Sequence, residues 1–138
     1  MAQLLVCEIV APDRMLFSGE AEFVSAPAAE GEIGLMYLCS PIMSTLNRGQ
    51  VRIKATMTSE PRCFAVNGGY LEVDGYKVMV LANHAIDLAE VDVSVAKERI
   101  ASNEKRLLEL AEHDSRAVFV RQEIEWQQYL IELKERKG

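Results

Sequence analysis

The sequence predicts an α+β chain in which a β region comes first and a helical region follows. Three observations carry this. Up to about Ala85, apolar residues come in short alternating runs broken by Gly, Pro and Asp. Beyond it they recur three and four residues apart, and no Gly or Pro appears before Gly138. Asp74-Gly75, set between two apolar runs, is a strong hairpin signal. A sheet face and a helix stripe each need an apolar partner, so a single change of period implies segregated layers.

In the β region, residues 4–10 read as a mostly buried first strand and residues 21–25 as a second, flanked by Ser18-Gly19 and Pro27. Residues 51–55 alternate, with Val51, Ile53 and Ala55 on one face and Arg52 and Lys54 on the other, as in a half-buried strand. Residues 63–66 follow the Ser59-Glu60-Pro61 breaker. Residues 70–73 and 76–82 flank Asp74-Gly75, where Asp-Gly favours a type I′ turn. Gly68-Gly69 suggests a bulge or a close backbone approach. Many short strands with turns between them indicate a sandwich or flattened barrel. Residues 30–34, EGEIG, form a glycine-punctuated acidic turn, readable as a solvated loop or as a contact. Carboxylates and the lack of a following Lys-Ser/Thr exclude a phosphate cradle there. Residues 35–46 are uncharged and interrupted by Pro41, readable as an edge strand pair or a contact surface.

In the helical region, Asp92 is an N-cap candidate for a helix from about Val93 to Glu112. Ala96, Ile100, Asn103, Leu107 and Leu110 make its stripe, where Asn103 either fixes register or stays partly exposed. His113-Asp114-Ser115 breaks the pattern, and Asp114 or Ser115 can cap a second helix to about Lys134. The short break implies an antiparallel hairpin. The second helix carries two apolar faces: Phe119, Trp126, Leu130 and Leu133 on one, Ala117, Val120, Ile124 and Ile131 on the other. One suffices to pack on the first helix. The other needs the β body or another protein, unless both belong to one broad core stripe.

A length of 138 residues allows one domain with a helical appendage, and 49% hydrophobic content supports a core. Net charge −6 argues against nucleic-acid binding, which needs clustered Lys and Arg. No run approaches a membrane span, and the N-terminus lacks the basic and apolar regions of a secretion signal. Cys7, Cys39 and Cys63 are widely spaced with no CxxC and read as thiols in a reducing compartment. With two histidines, His84 and His113, a metal site is not expected. The sequence has no Gly-x-Ser-x-Gly, Walker A, HExxH or Gly-x-Gly-x-x-Gly, and no catalytic residue is assigned.

Five short motifs in order then carry a resemblance: MLFSG at 15–19, GEIG at 31–34, Pro41 with Gly49, GGYLEV at 68–73 and VLANHAI at 80–86. With the β-then-hairpin order, the chain resembles the epsilon subunit of F-type ATP synthase. The resemblance implies a ten-stranded β-sandwich over residues 1–86 and an antiparallel two-helix hairpin over 87–138. It implies a non-catalytic place on the central stalk, coupling the gamma subunit to the c-ring, peripheral on the cytoplasmic face of the membrane and held there only through the complex. It implies no cofactor. The helices would either fold up or extend into the catalytic alpha/beta hexamer and block ATP hydrolysis. An opened hairpin of about 45 residues would reach about 65–70 Å.

By the same resemblance, Glu32 and Met43 are c-ring contacts, and Cys39 and Ser44 are gamma contacts. Cys39 stands where the family has a His, within Tyr37-Leu38-Cys39-Ser40-Pro41 in place of Pro-Gly-His-Ala-Pro. Some bacterial members bind ATP on the folded hairpin through Ile/Leu-Asp-x-x-Arg-Ala and arginines of the second helix. Here the motif reads VDVSVA at 91–96, Val95 replaces the arginine, and Glu123 and Gln127 replace the later ones. Loss of guanidinium groups and gain of a carboxylate should abolish useful ATP affinity. A nucleotide-sensing module that binds ATP on the folded hairpin is the alternative function. A small β-sandwich enzyme is a third, with poor material for catalysis.

Overall fold

The computed structural model describes residues 3–137. They form two compact units, residues 3–87 and residues 88–137.

The first unit holds ten strands: β1 (Leu5–Ala11), β2 (Arg14–Ala21), β3 (Phe23–Ala28), β4 (Gly31–Leu35), β5 (Ile42–Leu46), β6 (Gly49–Lys54), β7 (Arg62–Val66), β8 (Gly69–Val73), β9 (Lys77–Ala82) and β10 (Ala85–Asp87). They hydrogen-bond in the order β10-β7-β6-β3-β5-β8-β9-β1-β2, with β4 on β3. The pairs are antiparallel except β1 with β9. The ends of this path, β10 and β2, approach each other, so the sheet curls into a nearly closed flattened barrel. Near that seam the Phe17 and Phe64 rings meet edge to face at 5.8 Å. The Arg62 guanidinium lies over both rings, 5.3 and 5.1 Å from their centroids, and pairs with Asp87 at 3.1 Å.

Alternation decides what the barrel encloses. Leu5, Cys7 and Ile9 of β1 point in, as do Val51 and Ile53 of β6, Leu71 and Val73 of β8, and Val78 and Val80 of β9. Burial pushes the Cys7 thiol up to about 12, with Glu8 adding to the effect, so it stays protonated and packs as a small apolar side chain.

Two strands are hard to see in sequence. Residues 14–21 form β2, and the acidic segment starting at Gly31 forms β4 rather than a loop. The Asp74-Gly75 hairpin exists, but Gly75 is the first central residue, with φ +95, and Tyr76 does not have positive φ. That is the pattern of a II′ turn, not I′. The Asp74 carboxylate accepts the Lys77 N–H at 3.0 Å, which fixes it there.

The close approach at Gly69 is real. Its φ is +130, and a Cβ there would lie 2.0 Å from the Leu81 carbonyl oxygen. Gly31 has the same φ, with nothing within 4 Å of its missing Cβ.

The second unit starts with a 3-10 turn over Leu88–Glu90, then α1 (Val93–Glu109) and α2 (Arg116–Lys137). The two helices pack as an antiparallel hairpin. Asp92 caps α1, accepting from the Ser94 N–H at 2.9 Å, the Val95 N–H at 3.4 Å and the Ser94 hydroxyl at 2.7 Å. Helix α1 ends three residues earlier than its periodicity suggests, because Leu110 turns extended. Asp114 caps α2, accepting from the Arg116 N–H at 2.9 Å and pairing with its guanidinium at 2.7 Å. On α2, Trp126, Leu130 and Leu133 are buried, as are Ala117, Val120 and Ile124. Phe119 is the exception to the expected face, being 70% exposed in the first turn.

Both capping carboxyls are held below their ordinary range. Hydrogen bonds from the Ser94 hydroxyl and then the Val95 and Ser94 amides do this for Asp92. The Arg116 guanidinium and amide bring Asp114 to about 2. A lowered folded-state pKa means stability that is present above the unfolded value, about 3.9, and lost as pH falls through the folded one.

Gly69→Ala should cost about 2–4 kcal/mol by strain and clash, against about 1 kcal/mol for Gly31→Ala, read from denaturant midpoints. Asp114→Asn should lower the melting midpoint of the helical signal near neutral pH, and the deficit should close as pH falls from about 4 to about 2. A deficit unchanged at pH 2 would mean that the Asp114 charge contributes nothing.

Candidate interaction face

The outward residues of β5, β8, β9, β1 and β2 fall into register as rows. In one row Thr45 stands opposite Tyr70, Tyr70 opposite Leu81, Leu81 beside Val10, and Val10 opposite Met15. In the next, Met43, Glu72, Met79, Glu8 and Ser18 are aligned in the same way. At a spacing of about 4.8 Å, five strands make a face about 19 Å wide. Met43 is 79% exposed, Tyr70 61%, Met15 54% and Leu81 40%. Scattered exposed apolar residues are ordinary, but a cross-strand ladder of them is not.

Beside the ladder an open groove of about 380 Å³ lies between Met43, Glu72, Asp74, Lys77 and Met79. Lys77 is paired with Glu8 at 3.0 Å. Carboxylates therefore border apolar surface here, which suits a partner presenting apolar side chains flanked by Lys or Arg.

The residues expected to make contacts are distributed around this unit. Glu32 sits on β4 and pairs with Arg52 at 3.1 Å, with both side chains largely in solvent. Ser44 alternates with Met43 on β5 and points away from the ladder. Its hydroxyl accepts the Ala29 N–H at 3.1 Å and donates to the Thr45 carbonyl at 2.9 Å, tying β5 to the β3–β4 turn. Cys39 lies in the 36–41 loop. Its N–H reaches the carbonyls of Met36 and Gly75, each at 3.1 Å, and its thiol lies 3.8 Å from the Gly75 oxygen. The loop is thus pinned to the β8–β9 turn, and Tyr37 and Tyr76 add a ring contact at 6.4 Å. Leu38, at the tip, has φ 63, a left-handed conformation uncommon outside glycine, and is exposed. So Cys39 and Ser44 act first as internal ties, while Met43 stands in the row beside the ladder.

Sequence reading missed Tyr70, Leu81, Val10 and Met15 as surface residues. Each strand shows only alternation, and which row meets which depends on register across five strands.

At the positions of the degenerate nucleotide motif, Val95 lies in the first turn of α1, and its N–H is directed to Asp92. On α2 the Gln127 amide donates to the Glu123 carboxylate at 2.9 Å, one turn apart. Among the described residues no cluster of three or more His, Cys, Asp or Glu side chains is placed to hold a metal ion.

Comparison with known proteins fits this architecture. Residues 4–88 match the family model described as ATP synthase, Delta/Epsilon chain, beta-sandwich domain. The ATP synthase epsilon chain 1 of Methylococcus capsulatus is 38% identical over 107 residues, 78% of this chain and 76% of the relative. The epsilon chain of Brevibacillus brevis is 41% identical over 105 residues, 76% of this chain and 79% of the relative. In fold, the chain is similar to one in the cryo-EM structure of the Euglena gracilis mitochondrial ATP synthase OSCP/F1/c-ring. The TM-score is 0.65 at 14% identity, over 88% of this chain and 76% of that one. A second likeness is to a chain of the Tetrahymena thermophila central stalk and c-ring, with TM-score 0.53 at 14% identity, over 64% and 69% of the two chains. The chain belongs to the ATP synthase delta/epsilon family, as a non-catalytic subunit of the epsilon type.

Proposed function

We propose that this chain is a central-stalk subunit of a proton-translocating F-type ATP synthase, in which the barrel couples the gamma subunit to the c-ring and the helices regulate ATP hydrolysis. The observation that carries the proposal is the exposed ladder through Tyr70, Leu81, Val10 and Met15, on a barrel that matches the ATP synthase delta/epsilon beta-sandwich family. A coupling element transmits torque through contact area rather than through chemistry, so it needs a stiff body and a broad, partly apolar face. The near-closed sheet supplies the first and the ladder the second.

Glu32 and Met43 face the c-ring in this reading, and Cys39 and Ser44 lie near gamma. Cys39 and Ser44 serve by holding their loops in shape. The protein sits at the cytoplasmic face of the membrane through the complex; no described helix is long and apolar enough to cross it. The helices act by alternating between the folded hairpin and an extended form that reaches the alpha/beta hexamer. A gap of a few kcal/mol leaves a minor state that partners can select. ATP sensing is disfavoured, because Glu123 places a carboxylate and Gln127 its amide where phosphates would need guanidinium groups.

The test is to present the purified chain with gamma and with ATP separately. It should co-elute with gamma, and Leu81→Glu should weaken that at least about tenfold, because a charge would be buried unpaired in the contact. Millimolar ATP should leave the melting midpoint unchanged. Tight gamma binding by Leu81→Glu would remove the ladder from the interface, and stabilisation by micromolar ATP would favour the sensor.

A further inference from the structure

Helix α2 has 22 residues and α1 has 17. In an antiparallel hairpin with a short connection at 110–115, the difference leaves about 7 Å of α2 projecting past the start of α1. The overhang meets the 3-10 turn over Leu88–Glu90. Leu88 and Val91 are buried there, as is Leu133 of the overhang. Next to Leu133, the Lys134 ammonium donates to the Leu88 carbonyl at 3.1 Å and reaches the Ala89 carbonyl at 3.5 Å. The Leu88 oxygen also accepts the Val91 N–H at 3.2 Å, which closes the turn. Carbonyls at the end of a helical turn carry partial negative charge, so a cation there is favoured beyond an ordinary hydrogen bond.

The covalent path matters. The 3-10 turn leads through Val91 and Asp92 directly into α1. Helix α2 therefore cannot swing away from α1 about the 110–115 connection without drawing Lys134 off Leu88 and Ala89. The contact lies at the open end of the hairpin, farthest from that connection, where it resists separation with the longest lever.

We propose that Lys134 is the latch of the hairpin: its ammonium, clasping the Leu88 and Ala89 carbonyls, sets how often α2 leaves α1. The consequence for catalysis in the assembled enzyme rests on the regulatory reading above, whereas the latch itself does not. Neutralising the ammonium, by substitution or by acylation of the amine, opens the hairpin more often while leaving both helices their sequence-encoded stripes.

Hydrogen exchange of the full chain tests this, because exchange through opening is proportional to the open population. Lys134→Met keeps most of the aliphatic stem and should speed exchange of the α2 amides about three- to tenfold. Lys134→Arg, which keeps a cation, should stay near the parent rate, as should Lys105→Met on the exposed face of α1. The β-strand amides should not change. Unaltered α2 exchange in Lys134→Met overturns the latch. So does equal acceleration in Lys134→Arg, or in the β strands. ATP hydrolysis by the enzyme assembled with Lys134→Met should fall as the extended form gains population. Faster α2 exchange with unchanged hydrolysis leaves the latch standing and removes the regulatory reading.

Discussion

Curling one sheet until its ends meet is the constraint on which the rest depends. Once β10 and β2 approach each other, every strand has an inside and an outside, and a one-residue register slip would exchange them. The seam is held by a polar clasp as well as by apolar packing, since Arg62 spans the Phe17 and Phe64 rings and pairs with Asp87. Surface ion pairs and cation–π contacts contribute little singly, about 0.5–1 kcal/mol each. Their value here is positional, because they join β2, β7 and β10 at the place where the hydrogen-bonded path has its two ends. The interior is filled by Leu, Ile, Val and Ala with Phe64 and the protonated Cys7, so apolar residues left outside are surplus to the core.

That surplus is organised. Tyr70, Leu81, Val10 and Met15 come from two hairpins, β8–β9 and β1–β2, that are far apart in the chain and adjacent in the sheet. The parallel pairing of β1 with β9 brings the N-terminal hairpin beside the β8–β9 hairpin and completes the row. The close backbone approach at Gly69 lies at the Ala82 end of the same β8–β9 pair, so a side chain there would disturb the strands that carry Tyr70 and Leu81. The helical unit is secured differently. Local devices fix its two helix starts, at Asp92 and Asp114, and Lys134 fixes its open end. Such devices break one at a time, whereas a closed sheet yields cooperatively.

Much of this was legible in the sequence. The change of period near Ala85 separates strands from helices, and Asp92 declares its cap because an acidic residue there precedes a helical stripe. The alternation of Val51 and Ile53 against Arg52 and Lys54 gives the buried face of β6 directly. β4 was obscured because Gly31, Glu32 and Gly34 read as turn residues, yet Glu32 stands opposite Pro27 and its neighbours complete the pairing with β3. Asp74-Gly75 reads as the central pair of a I′ turn, whereas Asp74 acts as a side-chain cap and the central pair is Gly75-Tyr76. Phe119 shows that a helical stripe can run out in its first turn. The ladder itself was illegible, because it exists only after long-range register is set.

If the outward ladder docks against a neighbouring subunit, assembly of the enzyme must bury it. Methionine oxidation reads that burial, since Met15, Met43 and Met79 mark the face and Met57 lies outside it, in the β6–β7 loop. Brief oxidant exposure of the free chain and of the assembled enzyme, read by mass spectrometry, should find Met15 and Met43 oxidised readily in the first and protected in the second, with Met57 reactive in both. Equal oxidation of Met15 and Met43 in the free and assembled states would mean that the ladder stays in solvent and docks nothing.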